Sequence, residues 1–575
     1  MAYSNLFQYF LFLAIVSACV KPAGLYMAKV FNRERTWIDW IAIPIERRIY
    51  RMGGIDPDEG MSWKTYSLAF FLFTCAGTLL VCIALISQPL LQPDSALFKP
   101  QAVPSLLSLN TAVSFSTTTT WQAYSGESTL TYLSQAFALT SQNFLAGAAG
   151  LAVGIAFIRG FSLRNSQNIG NFWCDVTRAV VWILLPAACI GALLLIWQGV
   201  PQNWLPYAQA HTLEGALQTL PDGPVATLEI IKNLGTNGGG YFAANGAHPY
   251  ANPTGLTNFL SNLAIVVLPA ALTYTFGHMT RRTAHGWMLY GVMAALFSAG
   301  LALCEYSERT MNPQVAAAAS KMHVAMTQNS GNMEGKELRF GISSSVLTAI
   351  ATSNGATGSS NASVDSMLPL GSGTLLGNML LGEAVFGGLG SGLYSIVLTA
   401  LLLVFVAGLM IGRTPEYLGK KIGTAEIKLI AIYTIIAPFA ILILTAIAII
   451  SPEGLAGLSQ NKGAHGFSTI LFAFTSCFAN NGQGFGSLNA DAPFYHVTTI
   501  IAMLAGRFGL AIPALALAGH FAAQSTRPKS PGTLPTDGYL FAVALIATMV
   551  VTGLLNYLPA LAMGPVIEHL QLFNS

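Results

Sequence analysis

Long stretches without a charged side chain constrain this sequence more than any other feature. A membrane-spanning helix needs about 20 mostly apolar residues, and such stretches recur along the whole chain. We predict ten spans, near residues 5–28, 66–88, 130–158, 179–199, 257–279, 286–304, 382–411, 429–451, 495–523 and 539–560. The first lacks a basic leader and a cleavage site, so we expect a retained span rather than a signal peptide.

Composition sets the class of the protein. Only 9% of the residues are charged and 53% are hydrophobic, whereas soluble domains carry about 25% charged residues. These values exclude a soluble globular enzyme, a disordered chain and a nucleic-acid-binding protein. Unbroken apolar runs argue against a β-barrel, so the predicted fold class is an all-α polytopic membrane protein. Cysteine and histidine do not recur at ligand spacing, which predicts no divalent-metal site.

The basic residues are distributed unevenly between the two ends of the spans. Most of the 27 lysines and arginines fall in loops that follow odd-numbered spans, including Arg413, Lys420 and Lys421. The other loops are longer but hold few. The positive-inside rule assigns the basic face to the cytoplasm. Both termini are then predicted on the outer side of the membrane.

Four of the outer loops share an unusual organisation. Each contains an apolar segment too short to cross a membrane, at 105–115, 225–234, 341–351 and 467–478. A stretch rich in Gly, hydroxyl or amide residues follows each segment. Spans two to nine therefore form four copies of span, half-helix, polar loop and span. We predict repeats at 61–170, 171–282, 283–422 and 423–527, flanked by an extra helix and cytoplasmic loop at 1–60 and an extra helix at 528–575.

The polar stretches have the chemistry of a cation filter. Irregular backbone is tolerated at membrane depth where it lines a water-filled cavity, and carbonyl oxygens can replace the hydration shell of a monovalent cation. These stretches contain no Asp or Glu, and Ca²⁺ and Mg²⁺ favour carboxylate ligands. Neutral oxygens therefore indicate K⁺. Asn-Gly is also a common turn dipeptide, but its recurrence after three half-helices favours a filter.

Long strings of the sequence resemble the A subunits of Kdp potassium-transporting ATPases, the ion-binding members of a family of P-type pump complexes. The matching strings are KPAGLYMA (21–28), LGTNGGGYFAANGAHPYANPT (234–254), GNMEGKELRFG (331–341), FGGLGSGLY (386–394), GLMIGRTPEYLGKKI (408–422) and GRFGLAIPALALAG (506–519). The resemblance runs from end to end. It implies the fold of the superfamily of K⁺ transporters, with four membrane-pore-membrane repeats around a pseudo-fourfold axis.

The resemblance also implies a function and partners. The A subunit takes K⁺ from outside and passes it through an intramembrane tunnel to the B subunit, which binds and hydrolyses ATP. A C subunit and, in some bacteria, a small F peptide complete the complex in the inner membrane and its lipids. This chain lacks a phosphate-binding loop and an Asp-Lys-Thr-Gly phosphorylation motif, so we expect no catalytic site in it.

The repeats and the resemblance together identify candidate filter residues, one group in each polar stretch. They are Thr118, Thr119, Thr120 and Gln122; Asn237, Gly238 and Gly239; Ser353, Asn354 and Gly355; and Asn480, Asn481 and Gly482. The family's first loop reads Thr-Asn-Thr-Asn-Trp-Gln, so Thr118 and Thr120 replace two asparagines here. Thr keeps a neutral oxygen on a shorter side chain.

Two further features are candidates for gating or coupling. Arg507 lies inside the ninth span, where a charge is costly and often functional. It is either a cationic gate below the filter or a structural arginine bonded to loop carbonyls. The glycines Gly387, Gly388 and Gly390 interrupt the seventh span. They form either an unwound gate or a site of close helix packing.

Two other classes of protein compete with the pump subunit. One is an autonomous K⁺ channel or ion-coupled K⁺ carrier of the same superfamily, and the other is a membrane enzyme with an intramembrane acid or metal site. The two extra helices and the string at 331–341 favour the pump subunit over the channel or carrier. The sequence has no cluster of Asp, Glu, His or Cys at helical spacing, which argues against the enzyme.

Overall fold

Membrane-spanning helices dominate the computed structural model, which describes residues 2–91, 101–323, 331–412, 415–526 and 534–574. Within these ranges, ten helices are long and apolar enough to cross a membrane, which confirms the predicted number. They are Phe7–Phe31, Trp63–Ile86, Ser134–Ser162, Phe172–Trp197, Gly255–Met279, Thr283–Lys321, Ser391–Ile411, Thr424–Ile450, Pro493–Ala523 and Tyr539–Phe573. Of the basic residues that define the charge asymmetry, Lys99, Arg413, Arg527 and Lys529 lie outside the described residues.

Four short helices alternate with these spans, and we call them the pore helices. They are Ser105–Ser116, Val225–Leu234, Gly341–Asn354 and Ala464–Phe478. At 10 to 15 residues they are too short to cross a membrane, and most of their side chains are buried in protein. Each follows one span and precedes another. The chain therefore has the predicted all-α architecture of four membrane-pore-membrane repeats with one extra helix at each end.

The remaining elements are short and connect the spans. The other helices are Asp39–Gly53, Gln88–Leu91, Gly126–Thr129, Pro313–Lys321, Pro369–Leu380, Pro452–Ala456 and Ile567–Asn574, with a 3₁₀ turn at Val364–Ser366. π-helical turns lie within three spans, at Ser134–Thr140, Ala179–Leu184 and Ala562–Val566. Two antiparallel hairpins pair Ala208–His211 with Leu217–Leu220 and Glu416–Tyr417 with Lys420–Lys421.

The seventh span begins later than the predicted range of 382–411, within which glycines were expected to interrupt the helix. Its helix begins at Ser391, and a separate helix, Pro369–Leu380, precedes it. Residues between them form turns, with positive φ at Gly382 and Gly390. A Cβ on Gly387 would lie 1.8 Å from the carbonyl oxygen of Glu383, so the chain can turn here only with glycine. The span is therefore discontinuous.

Lys420 is one of the basic residues that predict the cytoplasmic face, and it also makes contacts within the fold. Its side chain is buried, and Nζ donates to the carbonyl oxygens of Leu163, Phe521 and Gln524 at 2.7–2.9 Å. The last carbonyls of a helix lack intrahelical partners, and a cation near a helix C-terminus is favourable. Lys420 thus joins the ends of the third and ninth spans.

Candidate functional site

Four polar loops continue directly from the four pore helices, at 117–122, 235–240, 355–358 and 479–484, and we call them the pore loops. They meet at one point. A Cβ built on Gly238 would lie 2.6 Å from the carbonyl oxygen of Thr357, 3.0 Å from that of Asn481 and 3.0 Å from the hydroxyl oxygen of Thr120. One glycine of the second loop therefore faces oxygens of the three other loops.

The four pore loops share one backbone feature. The second residue after each pore helix has a left-handed backbone: φ is 69° at Thr118, 52° at Thr236, 50° at Ala356 and 51° at Asn480. Residues with a Cβ rarely adopt positive φ, and β-branched threonine least readily. The recurrence at equivalent positions indicates a geometry that the surrounding structure imposes on each loop.

Glycine is required where one loop passes the next. Gly358 and Gly482 have φ of 72° and 87°. A Cβ on Gly358 would lie 2.0 Å from the carbonyl oxygen of Asn481, and one on Gly482 would lie 2.0 Å from that of Thr119. Carbonyl oxygens of neighbouring loops thus occupy the space that a side chain would need. The second loop has its left-handed glycine one residue later, at Gly239.

Side-chain amides hold the pore loops together. Gln122 joins the first and second loops, since its Oε1 accepts from the N–H of Gly240 at 2.8 Å and its Nε2 donates to the Gly240 carbonyl at 3.1 Å. Asn480 Nδ2 donates to the Thr119 hydroxyl at 3.0 Å, and Asn481 Nδ2 donates to the Thr352 carbonyl at 2.8 Å. The fourth loop is therefore tied to both the first and the third repeats.

The third pore loop begins later in the sequence than the predicted residues 353–355. Ser353 and Asn354 lie in the last turn of the pore helix, where Asn354 Nδ2 donates to the Ile350 carbonyl at 3.0 Å. Gly355 follows as the residue that ends the helix. The structural counterpart of 480–482 is 356–358, which contains Thr357 and Gly358. The dipeptide Asn354-Gly355 resembles Asn481-Gly482, but it falls three residues earlier in the loop.

Sequence reasoning missed a buried glutamine in the fourth loop. Gln483 follows Gly482 and is fully buried. Neither of its side-chain polar atoms has a hydrogen-bond partner among the described residues. The signal in the sequence was an amide residue directly after the Asn480-Asn481-Gly482 string.

A cavity lies directly against the four left-handed residues. Its wall includes Arg507 and Glu383, one charged residue of each sign. The Arg507 guanidinium donates from Nη2 to the Ala146 carbonyl at 2.9 Å and lies 5.2 Å from the centre of the Phe70 ring. Its Nε has no hydrogen-bond partner among the described residues. Nη1 also donates to the hydroxyl of Thr118 in the first pore loop at 3.4 Å. Arg507 thus contacts backbone, a ring and a pore-loop hydroxyl, and its guanidinium borders the cavity.

The break in the seventh span forms another part of this cavity wall. The Leu389 N–H donates to the hydroxyl of Thr236 at 3.1 Å, so the break contacts the second pore loop directly. Gly388 lines the cavity. Gly390 instead packs against the third span, where its Cβ would lie 2.3 Å from the Gly150 carbonyl. Close packing therefore explains Gly390, and Gly388 is the glycine that borders the cavity.

Comparisons with known proteins agree with this architecture. The family model described as "Potassium-transporting ATPase A subunit" matches residues 10–570. A protein of Rhodospirillum centenum named "Potassium-transporting ATPase potassium-binding subunit" is 47% identical over 100% of this chain and 98% of its own length. A protein of the same name from Koribacter versatilis is 45% identical over 100% of this chain and 99% of its length.

A solved structure supports the fold independently. The potassium transporter TrkH from Vibrio parahaemolyticus superposes with a TM-score of 0.50 over 89% of this chain and 97% of that chain, at 13% sequence identity. Likeness at this identity concerns the fold alone. The family match and the identities to curated relatives extend over nearly the whole sequence, and so the chain belongs to the family of potassium-transporting ATPase A subunits.

Proposed function

We propose that the pore loops form a K⁺ selectivity filter that takes K⁺ from the outer side of the membrane. The convergence of four loops at Gly238, with neutral oxygens from each neighbouring loop, carries this proposal. Neutral carbonyl and hydroxyl oxygens can replace the hydration shell of a weakly hydrated monovalent ion. In this proposal Thr118–Thr120, Asn237–Gly239 and Asn480–Gly482 contribute as the sequence suggested, and the third loop contributes through Thr357 and Gly358.

The proposed route continues sideways below the filter. A second cavity, between the broken seventh span and the eighth and tenth spans, shares Glu383 and Leu510 with the cavity beneath the pore loops. Ser395, Tyr433 and Asn556 add polar groups to its wall. Arg507 and Gly388 are the proposed gate, and the shared wall at Glu383 is the proposed entrance to a tunnel.

The ion passes from this tunnel to a partner that hydrolyses ATP. The names of these relatives contain both "ATPase" and "potassium-binding subunit", which fits a division of labour between chains. We assign ATP binding to a B subunit and expect a C subunit and a small F peptide in the complex. The proposed setting is a bacterial inner membrane, with both termini on the periplasmic side as the basic loops indicate.

The test is K⁺-stimulated ATPase activity of the complex purified through a tag on this chain. We expect stimulation by K⁺ but not by Na⁺. Gly238→Ala is expected to raise the half-saturating K⁺ concentration, since its Cβ would collide with oxygens of the other loops. Gly486→Ala is the matched control, because its Cβ would meet nothing closer than 3.8 Å. Equal stimulation by Na⁺, or wild-type K⁺ dependence in Gly238→Ala, would refute the proposal.

A further inference from the structure

A fully buried ion pair lies behind the second pore loop. Lys232 and Glu229 are both on the second pore helix, with side chains 0% and 1% exposed, and Lys232 Nζ lies 2.8 Å from Glu229 Oε2. Buried charges are costly unless they are paired and hydrogen-bonded. Neither solubility nor helix formation therefore explains an ion pair at this buried position.

Lys232 donates hydrogen bonds to the backbone of the second pore loop and of the segment that follows it. Nζ donates to the Gly239 carbonyl at 3.0 Å and to the Asn245 carbonyl at 2.7 Å. Glu229 Oε2 pairs with the ammonium group by charge at 2.8 Å but accepts no hydrogen bond among the described residues. The hydrogen bonds of Lys232 that the structure shows thus go to these two carbonyls, both in one short segment of backbone.

The segment it holds is the one that adjoins the meeting point of the loops. Gly239 directly follows Gly238 and has a left-handed backbone, with φ of 65°. Its N–H donates to Asn245 Oδ1 at 3.0 Å, and the next residue, Gly240, is bonded to Gln122. The carbonyl of Gly239 is therefore held by Lys232, and its N–H is held by Asn245.

The charge of Lys232 requires compensation in a site for cations. An unpaired ammonium group next to the pore loops would repel K⁺ in a medium of low dielectric constant. Glu229 cancels that charge at 2.8 Å. The pair provides a strong, charge-assisted donor to the loop carbonyl without adding net charge to the site.

We propose that Lys232 is a positioning residue that sets the K⁺ selectivity of the second pore loop, with Glu229 as its compensating charge. This inference rests on the proposed function of the pore loops. Lys232 does not contact the ion in this proposal. It fixes the Gly239 carbonyl and thereby the position of Gly238 against the three other loops.

The test compares variants of this pair in the purified complex. Binding of radioactive Rb⁺ is competed with K⁺ and with Na⁺, and the ratio of the two competing concentrations measures selectivity independently of the amount of folded protein. The double variant E229Q/K232M removes both charges at once and leaves no unpaired buried ion. We expect it to lower the K⁺-to-Na⁺ selectivity ratio by about tenfold or more, the effect of losing a hydrogen bond to a charged donor.

Two further variants separate positioning from charge and from stability. E229Q keeps the lysine donor but removes its compensation, so we expect weaker binding of K⁺ and Rb⁺ alike. The control is the pair Lys336–Glu308, which is equally buried, 2.7 Å long and outside the pore loops. E308Q/K336M is expected to lower thermal stability without changing the selectivity ratio.

The outcomes distinguish failure of the filter proposal from failure of the proposed role of Lys232. A wild-type complex without preference for K⁺ over Na⁺ would refute the filter itself. A selective wild type with an unchanged ratio in E229Q/K232M would refute the role of Lys232 and leave the filter intact. An equal loss of selectivity in E308Q/K336M would also overturn it, because any buried pair would then have the same effect.

Discussion

Replacement of Gly482 by alanine tests whether the pore loops bind the ion through their backbone. Gly482 has φ of 87°, and a Cβ there would lie 2.0 Å from the carbonyl oxygen of Thr119. Real Cβ atoms essentially never approach another atom within 3.0 Å. The first and fourth loops must therefore separate by about 1 Å, which exceeds the tolerance of about 0.5 Å for a preorganised site.

A second glycine separates this collision from the cost of the backbone conformation. Gly463 has φ of 78°, lies in the same repeat and would place a Cβ against nothing within 4 Å. Alanine at either position is strained by the positive φ. Only Gly482→Ala adds the displacement of the Thr119 carbonyl.

The assay is equilibrium binding of K⁺ to the purified complex, measured by competition with radioactive Rb⁺. We expect Gly482→Ala to weaken K⁺ binding at least about tenfold, or 1.4 kcal/mol. Gly463→Ala is expected to lower thermal stability and leave K⁺ binding unchanged. If both variants bind K⁺ as the wild type does, the Thr119 carbonyl is no part of the ion site and the reasoning fails.

Three other perturbations follow from the structure. Arg507→Gln removes the cation below the pore loops and is expected to increase ATP-independent K⁺ leak into proteoliposomes, as read by a K⁺-sensitive dye. Burial lowers the pKa of His465, but hydrogen bonds to Asp365 and Glu568 outweigh this and raise the pKa from 6.5 to about 9. The contacts of His465 with Asp365 and Glu568 therefore stabilise the fold fully below pH 6.5, and their contribution is lost as the pH rises through 9. Thermal melting should show His465→Gln destabilised in acid but not above pH 9, and a pH-independent difference would contradict a stabilising role of the charged imidazole. Lys420→Met leaves the buried Phe521 carbonyl without its donor, at about 1–3 kcal/mol, together with the half-buried carbonyls of Leu163 and Gln524. Its melting temperature should therefore fall while that of the control Lys421→Met does not.

The sequence predicted the architecture because that depends on features visible in one dimension. A span needs a long apolar run, and a repeat needs only the recurrence of short segments between spans. The glycines Gly238 and Gly482 were also identifiable, since a polar glycine-rich stretch after a half-helix has few other uses. The fold and most of the candidate site follow from such local patterns.

The sequence was a poorer guide to residues whose roles depend on neighbours far away in the chain. The third pore helix continues through Ser353 and Asn354 because their side chains bond back to the Ile350 carbonyl, and the composition of the loop does not show where the helix ends. Lys232 and Lys420 look like ordinary charges in the sequence. The acceptors of their hydrogen bonds are backbone carbonyls, which every residue carries. No pattern of side chains in the sequence therefore predicts these hydrogen bonds.

The placement of charge around the cavity favours the proposed sideways route. Above the cavity, the pore loops present neutral oxygens, and the nearby Lys232 is cancelled by Glu229. An ion that leaves the loops then meets the guanidinium of Arg507 in the cavity wall. Among the described residues of that wall, Glu383 is the carboxylate, and it also borders the lateral cavity. A cation is repelled by the guanidinium on one side, while the side-chain oxygens of Glu383 lie on the lateral side. This asymmetry fits the proposal that K⁺ leaves sideways into the tunnel and does not pass directly into the cytoplasm.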